Sequence, residues 1–276
     1  PHNFSILGKK YFANEKITED AIESLEKYSA TWKKFDIEKK AEIFLKFADL
    51  IEENTNEIIE ICAKESGKSI KNSIAEIREA VDFCRYYSKE AINIFQTQTL
   101  KGPTGELNQY KMLGKGLSFV ISPWNFPVAI FIGQTVAALI TGNVVITKPA
   151  EQSSFAAYYI IKLLLKAGLP NNAISLLLGD GALIGKEVIN DKKLKNVIFT
   201  GSLETAKIIQ SNLQQKENIP TFIAETGGLN CMIVDTSGDN ALGIWPDPVT
   251  QFENAADAFR VTDRHKRASS AFDLIA

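Results

Sequence analysis

This sequence predicts an α/β protein: a mostly parallel, doubly wound sheet with N-terminal helices ahead of it and a protruding β-hairpin. Three observations carry the prediction. From residue 117 onward, short runs rich in Val, Ile and Leu alternate with helical segments in the order β-α-β-α-β-α-β-α-β. That order builds parallel sheets with helices on both faces. Residues 116–147 carry no charge in a chain that is 23% charged, as strands buried on both faces do. The punctuation of that stretch argues against one membrane-crossing helix. Pro123 and Pro127 flank Trp124-Asn125-Phe126, and Gly142-Asn143 breaks the run again; prolines and Gly-Asn punctuate strand, turn and helix instead.

Taken in order, residues 1–16 give no signal beyond an extended arm. Residues 18–34 read as a helix with Ile22, Leu25 and either Tyr28 or Ala30 inward. The next helix places Ile37, Ala41, Phe44, Ala48 and Ile51 at steps of three and four opposite a charged face. After a break near Asn54 it continues through Ile58 and Cys62 to Gly67. Residues 70–96 form a third helix with Ala80, Cys84, Tyr87, Ala91 and Ile94 on one face. Cys62 and Cys84 fall on these apolar stripes and read as buried structural thiols. Residues 97–115, with turn signals at Gly102-Pro103 and Gly105, read as a hairpin leaving the main body.

The sheet then begins with a strand at 117–121, a helix at 127–140 and a strand at 144–147. Ser153 reads as the N-cap of a helix over 154–167, closed by Gly168 and Pro170. Further strands are expected at 173–178, 196–200, 220–224 and 231–234. The helices between them open at Gly179–Gly185 and at Gly201-Ser202, the second running to about Gln214. From Ser237 the composition shifts: residues 1–236 hold 25 Lys and two Arg, whereas 237–276 hold three Arg and one Lys. The expected division is 1–236 for helices plus nucleotide-binding sheet and 237–276 for an atypical tail. That tail is expected to be mobile, or loosely folded through Ile244, Trp245, Phe252 and Phe259.

A net charge of −2 gives no electrostatic case for nucleic acid or an anionic membrane. Three cysteines, an odd count, point to thiols in a reducing compartment. The segment PHNFSILGKKYF lacks the apolar core of a signal peptide. A cytoplasmic protein without a transmembrane segment is expected.

Several residues sit where such folds place chemistry, at the carboxyl ends of strands. Asn125 lies in a turn between a buried strand and a buried helix, where its amide can donate to a developing oxyanion or simply cap the turn. Lys148 and Glu151 follow a strand directly; a solvated pair at a helix start reads the same way. Gly179, Gly181 and Gly185 make GxGxxxG, a weak signal by itself. Gly201-Ser202 joins a strand end to a helix N-terminus, whose N–H groups attract pyrophosphate. Glu225 stands in ETGG at the end of a short strand, among Ile223, Ala224, Gly227 and Gly228.

The segments IAEIREAVDFCRYY, SPWNFPVAIFIGQ, KPAEQ, FTGS and IAETGGLNCMIVD resemble the aldehyde dehydrogenase superfamily over roughly residues 20–236. Within it they are most similar to the glutamate-semialdehyde (pyrroline-5-carboxylate) dehydrogenase module of bifunctional proline-catabolic proteins. The resemblance implies NAD as cofactor and a small-molecule aldehyde as substrate. It assigns Lys148 and Glu151 to the adenosine ribose, where a carboxylate would repel a 2′-phosphate and favour NAD over NADP. It places pyrophosphate near Gly201 and Ser202, with Gly181 and Gly185 on the cofactor path and Trp124 packing beside it. It makes Asn125 the oxyanion donor and Glu225 the general base that activates water against a thioester. It also implies association of subunits through residues 97–115.

The nucleophile is what the resemblance does not supply. The family mechanism needs a cysteine thiolate some dozens of residues beyond the ETGG glutamate, and no cysteine follows Cys231. Cys231 itself lies in the apolar run Cys231-Met232-Ile233-Val234, a core position, and His2 and His265 lie outside the match. The chain is therefore expected to be the cofactor-binding half of such an enzyme, truncated before the catalytic cysteine and inactive alone. A non-catalytic remnant or dinucleotide-binding module that acts by association with another chain is the competing expectation. An ordinary Rossmann-type reductase is disfavoured, because no Tyr-x-x-x-Lys pair accompanies the glycines.

Overall fold

The structure, a computed structural model, describes residues 6–227. The strand expected at 231–234, Cys231 and the segment 237–276 lie outside the described residues. Pro1–Glu225 form one compact unit.

Four helices come first. Helix α1 (Glu15–Lys34) starts three residues before the predicted 18, because the Asn14 side chain accepts from Ile17 N and caps it. Helix α2 (Ile37–Glu53) is capped by Asp36, whose carboxylate accepts from Lys39 N. The break expected near Asn54 separates α2 from α3 (Thr55–Ser66), and the Asn54 amide turns back to donate to Leu50 O at 2.7 Å. Gly67, at φ 70°, ends α3 in the left-handed region that glycine enters without strain. Helix α4 (Ile70–Phe95) follows, capped by Ser69. Of the predicted inward stripe of α2, Ala41, Phe44, Ala48 and Ile51 are buried, and Ile37, at the first turn, is half-buried. On α1, Tyr28 is the half-buried residue and Ala30 is exposed. On α4 the inward face is Ile77, Ala80, Val81, Cys84 and Ala91. The expectation for Ile94 fails, since it is 48% exposed near the end of that helix, beyond the packed face.

The hairpin is present. Strands β1 (Gln98–Leu100) and β2 (Asn108–Tyr110) pair antiparallel, with Thr99 opposite Gln109 and a turn that uses Gly105 at φ 94°. They form a separate two-stranded sheet, exposed along nearly all its length.

The main sheet alternates strictly: β3 (Leu117–Ile121), α5 (Ala129–Ile140), β4 (Val144–Lys148), α6 (Ser154–Ala167), β5 (Ile174–Leu176), α7 (Gly181–Asn190), β6 (Leu194–Thr200), α8 (Leu203–Gln214) and β7 (Thr221–Glu225). All neighbouring strands are parallel, in the order β5-β4-β3-β6-β7. The chain therefore builds outward from β3 on one side and returns to its other side with β6. The order reverses between β3 and β6, and open α/β sheets bind ligands beside such a point, at the carboxyl ends of the strands. Several boundaries differ from expectation: α5 starts two residues late, β4 runs one residue longer and β7 is shifted by one residue. The strand expected at 173–178 is shortened by a 3-10 turn at Asn171–Ala173, and β6 begins at Leu194, two residues early.

The first helices close the core against the sheet. Trp32, Phe44, Phe47, Phe119 and Phe131 are essentially fully buried, each contributing ~1.5–3 kcal/mol by removal from water. Trp32 also spends its polar atom, donating from Nε1 to Leu139 O at 2.9 Å at the end of α5. Among the described residues no helix is long and apolar enough to cross a membrane. The uncharged stretch is a buried strand-helix-strand unit.

Candidate active site

A cleft of about 520 Å³ opens at the carboxyl ends of β3, β4 and β6, between α7 and α8. Ile121 and Ser122 come from the end of β3, Lys148 from β4, and Phe199, Thr200 and Gly201 from β6. Helix α7 contributes Gly181, Ala182, Gly185, Lys186 and Ile189; α8 contributes Ser202, Thr205, Ile208, Ile209 and Asn212. The described lining thus has two lysines, three glycines, hydroxyls and apolar walls, and no carboxylate.

Lys148 is the buried cation of this cleft. Its side chain is 7% exposed, Nζ donates to Pro149 O at 3.1 Å, and Glu151 Oε1 lies 3.9 Å away. Burial pulls the Lys148 pKa below the ordinary lysine value; Glu151 and Asp180 offset part of that, and Lys10 adds to it. Glu151 itself is about half exposed at the side chain and is not among the cleft residues.

The glycines divide by cause. A Cβ on Gly185 would meet nothing within 4 Å, so at this cleft-lining position the missing side chain keeps space free. A Cβ on Gly181 would rest against Lys148, at 3.6 Å from Nζ. Gly201 has a packing reason, since a Cβ there would meet the Phe199 ring at 2.6 Å. The two flanking helices cap themselves. Asp180 accepts from Ala182 N (2.7 Å) and Leu183 N (2.9 Å), which holds its carboxyl below the usual range. Ser202 Oγ accepts from Thr205 N at 3.2 Å. Glycines that leave room, two helix N-termini and a desolvated ammonium fit a dinucleotide's phosphates and ribose.

The turn carrying Trp124 and Asn125 is held from outside. Lys68, just past α3, donates from Nζ to Asn125 O at 2.8 Å and lies 4.3 Å from the Phe126 ring centroid. The same Nζ is 2.5 Å from Glu76 Oε2. Glu76 Oε1 in turn accepts from Val128 N (2.6 Å) and Ala129 N (3.0 Å), the first amides of α5. Helix α6 starts the same way: Glu65 accepts from Phe155 N (2.7 Å) and Ala156 N (2.9 Å). Burial raises the Glu65 pKa, partly offset by those two N–H groups and by Lys10. Ser153 occupies the cap position as predicted but makes no capping bond: its hydroxyl donates to Ala150 O, and the amides it would cap are taken by Glu65.

Lys148, Gly181, Gly185, Gly201 and Ser202 are thus brought together in one cleft. Trp124 is 56% exposed, and neither it nor Asn125 is among the lining residues. Glu225 ends β7, exposed, paired in register with Thr200, and its carbonyl accepts from Gly201 N at 3.1 Å. The described residues do not enclose its carboxylate. Sequence reasoning missed Ser122, Thr200 and Gln134. Ser122 Oγ donates to Gln134 Oε1 (3.2 Å) and Gln134 Nε2 donates to Thr200 Oγ1 (2.6 Å), so one amide bridges the ends of β3 and β6. Its signal was a long polar side chain inside the apolar helix AIFIGQTVAALI. Cys62 and Cys84 are buried free thiols, as expected, and burial pushes both up to about 12. Among the described residues no cluster suits a metal ion.

A parallel sheet that reverses its order beside a glycine-lined cleft defines a doubly wound α/β protein. The chain belongs to the aldehyde dehydrogenase family, whose model matches residues 1–244. It is 39% identical over 237 residues to the bifunctional protein PutA of Salmonella typhimurium, covering 84% of this chain and 17% of that protein. It is 33% identical over 241 residues to 1-pyrroline-5-carboxylate dehydrogenase of Bacillus subtilis, covering 85% and 46% respectively. A solved structure of a mutant proline utilization A (PutA) from Bradyrhizobium japonicum superposes with a TM-score of 0.80 at 39% identity, over 82% of this chain and 23% of that one. The chain thus spans less than half the length of each of these three. Members of the family generally use NAD or NADP.

Proposed function

We propose that this chain supplies the NAD-binding part of an aldehyde dehydrogenase that oxidises glutamate semialdehyde to glutamate in proline catabolism. The carrying observation is the cleft at the reversal of strand order, where Lys148, Gly181, Gly185, Gly201 and Ser202 meet without a lining carboxylate. Likeness to PutA and to 1-pyrroline-5-carboxylate dehydrogenase supports the choice of substrate. NAD, when bound, supplies the hydride acceptor. The chain's own residues would do the rest. Lys148 would donate to a ribose hydroxyl, an exchange that favours an ammonium already stripped of water. Glu151, half exposed beside it, would accept from the ribose and turn away a 2′-phosphate. Ser202 and the start of α8 would face the pyrophosphate, with Trp124 alongside the cofactor path. Asn125 would donate its amide to the oxyanion, and Glu225 would activate water. The thiolate that the chemistry requires has no candidate here except Cys231, in an apolar run. The 276-residue polypeptide is therefore proposed to be inactive alone, and to work in the cytoplasm.

Calorimetric titration of the 276-residue chain tests this. NAD is expected to bind more tightly than NADP, and Lys148→Met to weaken NAD by about tenfold or more, the loss of a charge-assisted bond. Equal or tighter NADP binding would overturn the role of Glu151; binding of neither would overturn the cleft assignment. The same chain with NAD is expected not to oxidise glutamate semialdehyde. Turnover abolished by Cys231→Ala would instead place the nucleophile there. A second reading, a module acting through association with another chain, draws on the exposed Leu100, Leu107 and Tyr110 of the hairpin region and Ile223 of β7. Sedimentation of the chain across a concentration series tests it, with hairpin substitutions expected to release monomers.

A further inference from the structure

We infer that Lys68 and Glu76 are positioning residues for Asn125, forming a two-sided clamp that sets the turn from which its amide would act. The inference rests on the proposed role of Asn125 and adds to it the device that aims the residue.

Neither clamp residue belongs to the sheet. Lys68 follows α3 and Glu76 lies in the second turn of α4, yet both reach the chain between β3 and α5. Lys68 fixes the upstream half of the turn through the Asn125 carbonyl and the Phe126 ring. Glu76 fixes the downstream half through two adjacent amides, Val128 and Ala129. The ion pair between them, at 2.5 Å, joins the halves. Its environment makes it strong. The Glu76 side chain is 1% exposed and that of Lys68 12%, so solvent screens the pair little. A carboxylate buried this deeply needs compensation, and here Oε1 accepts two N–H groups while Oε2, without a hydrogen-bond partner among the described residues, is balanced by the adjacent ammonium charge. The side chain of Asn125 itself is left out of the clamp, because Lys68 holds only its backbone carbonyl. That division suits a catalytic amide: the backbone is pinned while the side chain stays available.

A mere packing role would be lost as global stability. A positioning role is read at the turn, and Trp124, next to Asn125, is a built-in reporter. The chain labelled with 5-fluorotryptophan has three fluorine resonances, from Trp32, Trp124 and Trp245, assigned by single Trp→Phe substitutions. Lys68→Met is expected to shift and broaden the Trp124 line while leaving the line of Trp32, buried on α1, in place. Lys68→Arg, which keeps the charge and the donors, is expected to restore it. Glu76→Gln is expected to speed amide exchange at Val128 and Ala129 by about tenfold or more, since the amides lose a charged acceptor. A Trp124 line and exchange rates unchanged in both variants would overturn the clamp, as would equal movement of the Trp32 line, which would mark general loosening. Asn125→Ala removes the proposed donor but no clamp contact, so it is expected to leave the Trp124 line where it is. Failure of the oxyanion reading would leave these spectra standing.

Discussion

The four helices that follow strands in the sheet begin in two different ways. On the β6 side, α7 and α8 are capped by their own residues, Asp180 and Ser202, each reaching two or three positions along the chain. On the β4 side, α5 and α6 have no side-chain cap of their own and are held by Glu76 and Glu65, carried on α4 and α3. The difference assigns the N-terminal helices a task beyond covering the core. The turns that carry Asn125 and the Lys148–Glu151 pair belong to the half held from outside. The glycine-lined turns belong to the half that holds itself. The helix starts on one side of the cleft are therefore held by the first helices, and those on the other are capped by their own residues.

Removing Glu76 should separate the two cases most. Glu76→Ala leaves the half-buried Lys68 without its carboxylate and two amides without an acceptor, and is expected to cost ~3–5 kcal/mol. The midpoint of urea denaturation, monitored by circular dichroism, measures it; a cost no larger than that of Asp180→Ala would erase the distinction. Glu65→Ala is expected to cost ~2–3 kcal/mol, since Glu65 is less deeply buried but makes the same two charge-assisted bonds.

Lys40 provides the counter-case, a buried cation with no imported carboxylate. It is 3% exposed, lies 5.1 Å from the Trp32 ring centroid and forms no ion pair among the described residues. Burial lowers its pKa to about 8, with Asp36 opposing that and Lys111 adding to it. The unfolded chain then binds this proton more tightly than the folded one, so stability rises with pH between about 8 and the ordinary 10.5. Lys40→Met is expected to stabilise by ~1–2 kcal/mol at pH 7, after the loss of its contact with Trp32. The gain should shrink as pH climbs through that window, and thermal unfolding at pH 7, 8.5 and 10 reads it. A gain that does not change with pH would mean that the amine is hydrated in the fold. Smallest is the local cap: Ser202→Ala should cost ~1 kcal/mol, with the loss confined to amide protection in the first turn of α8.

The same contrast decides what could be read from the sequence. Alternation of buried strands with periodic helices, the hairpin and the stripe Ala41–Phe44–Ala48–Ile51 were legible, because each is set by neighbours within a few residues. So was the placement in the cleft of Lys148, Gly201 and Ser202 at strand ends and of Gly181 and Gly185 at the start of α7. The caps on α5 and α6 were not legible. Glu76 and Val128 are 52 residues apart and Glu65 and Phe155 are 90 apart, a separation that no local pattern spans. Ser153 had the right type and place for a cap, yet an imported carboxylate outcompeted its hydroxyl for the amides. Gln134 was passed over for a similar reason: its partners, Ser122 and Thr200, come together only once β3 and β6 pair.

The order in which the strands are laid down has a consequence for synthesis. Strand β3 is the middle of the sheet and the first of its strands to emerge, followed by β4 and β5 on one flank. Until Leu194–Thr200 leaves the ribosome, the other edge of β3 has no neighbour, and an apolar strand edge is a template for pairing with another chain. The nascent polypeptide thus passes through an interval of some seventy residues in which half a sheet, already backed by four helices, presents an open side. At synthesis rates of ~5–20 residues per second that interval lasts several seconds, and it is the period in which a holdase chaperone would have most to shield.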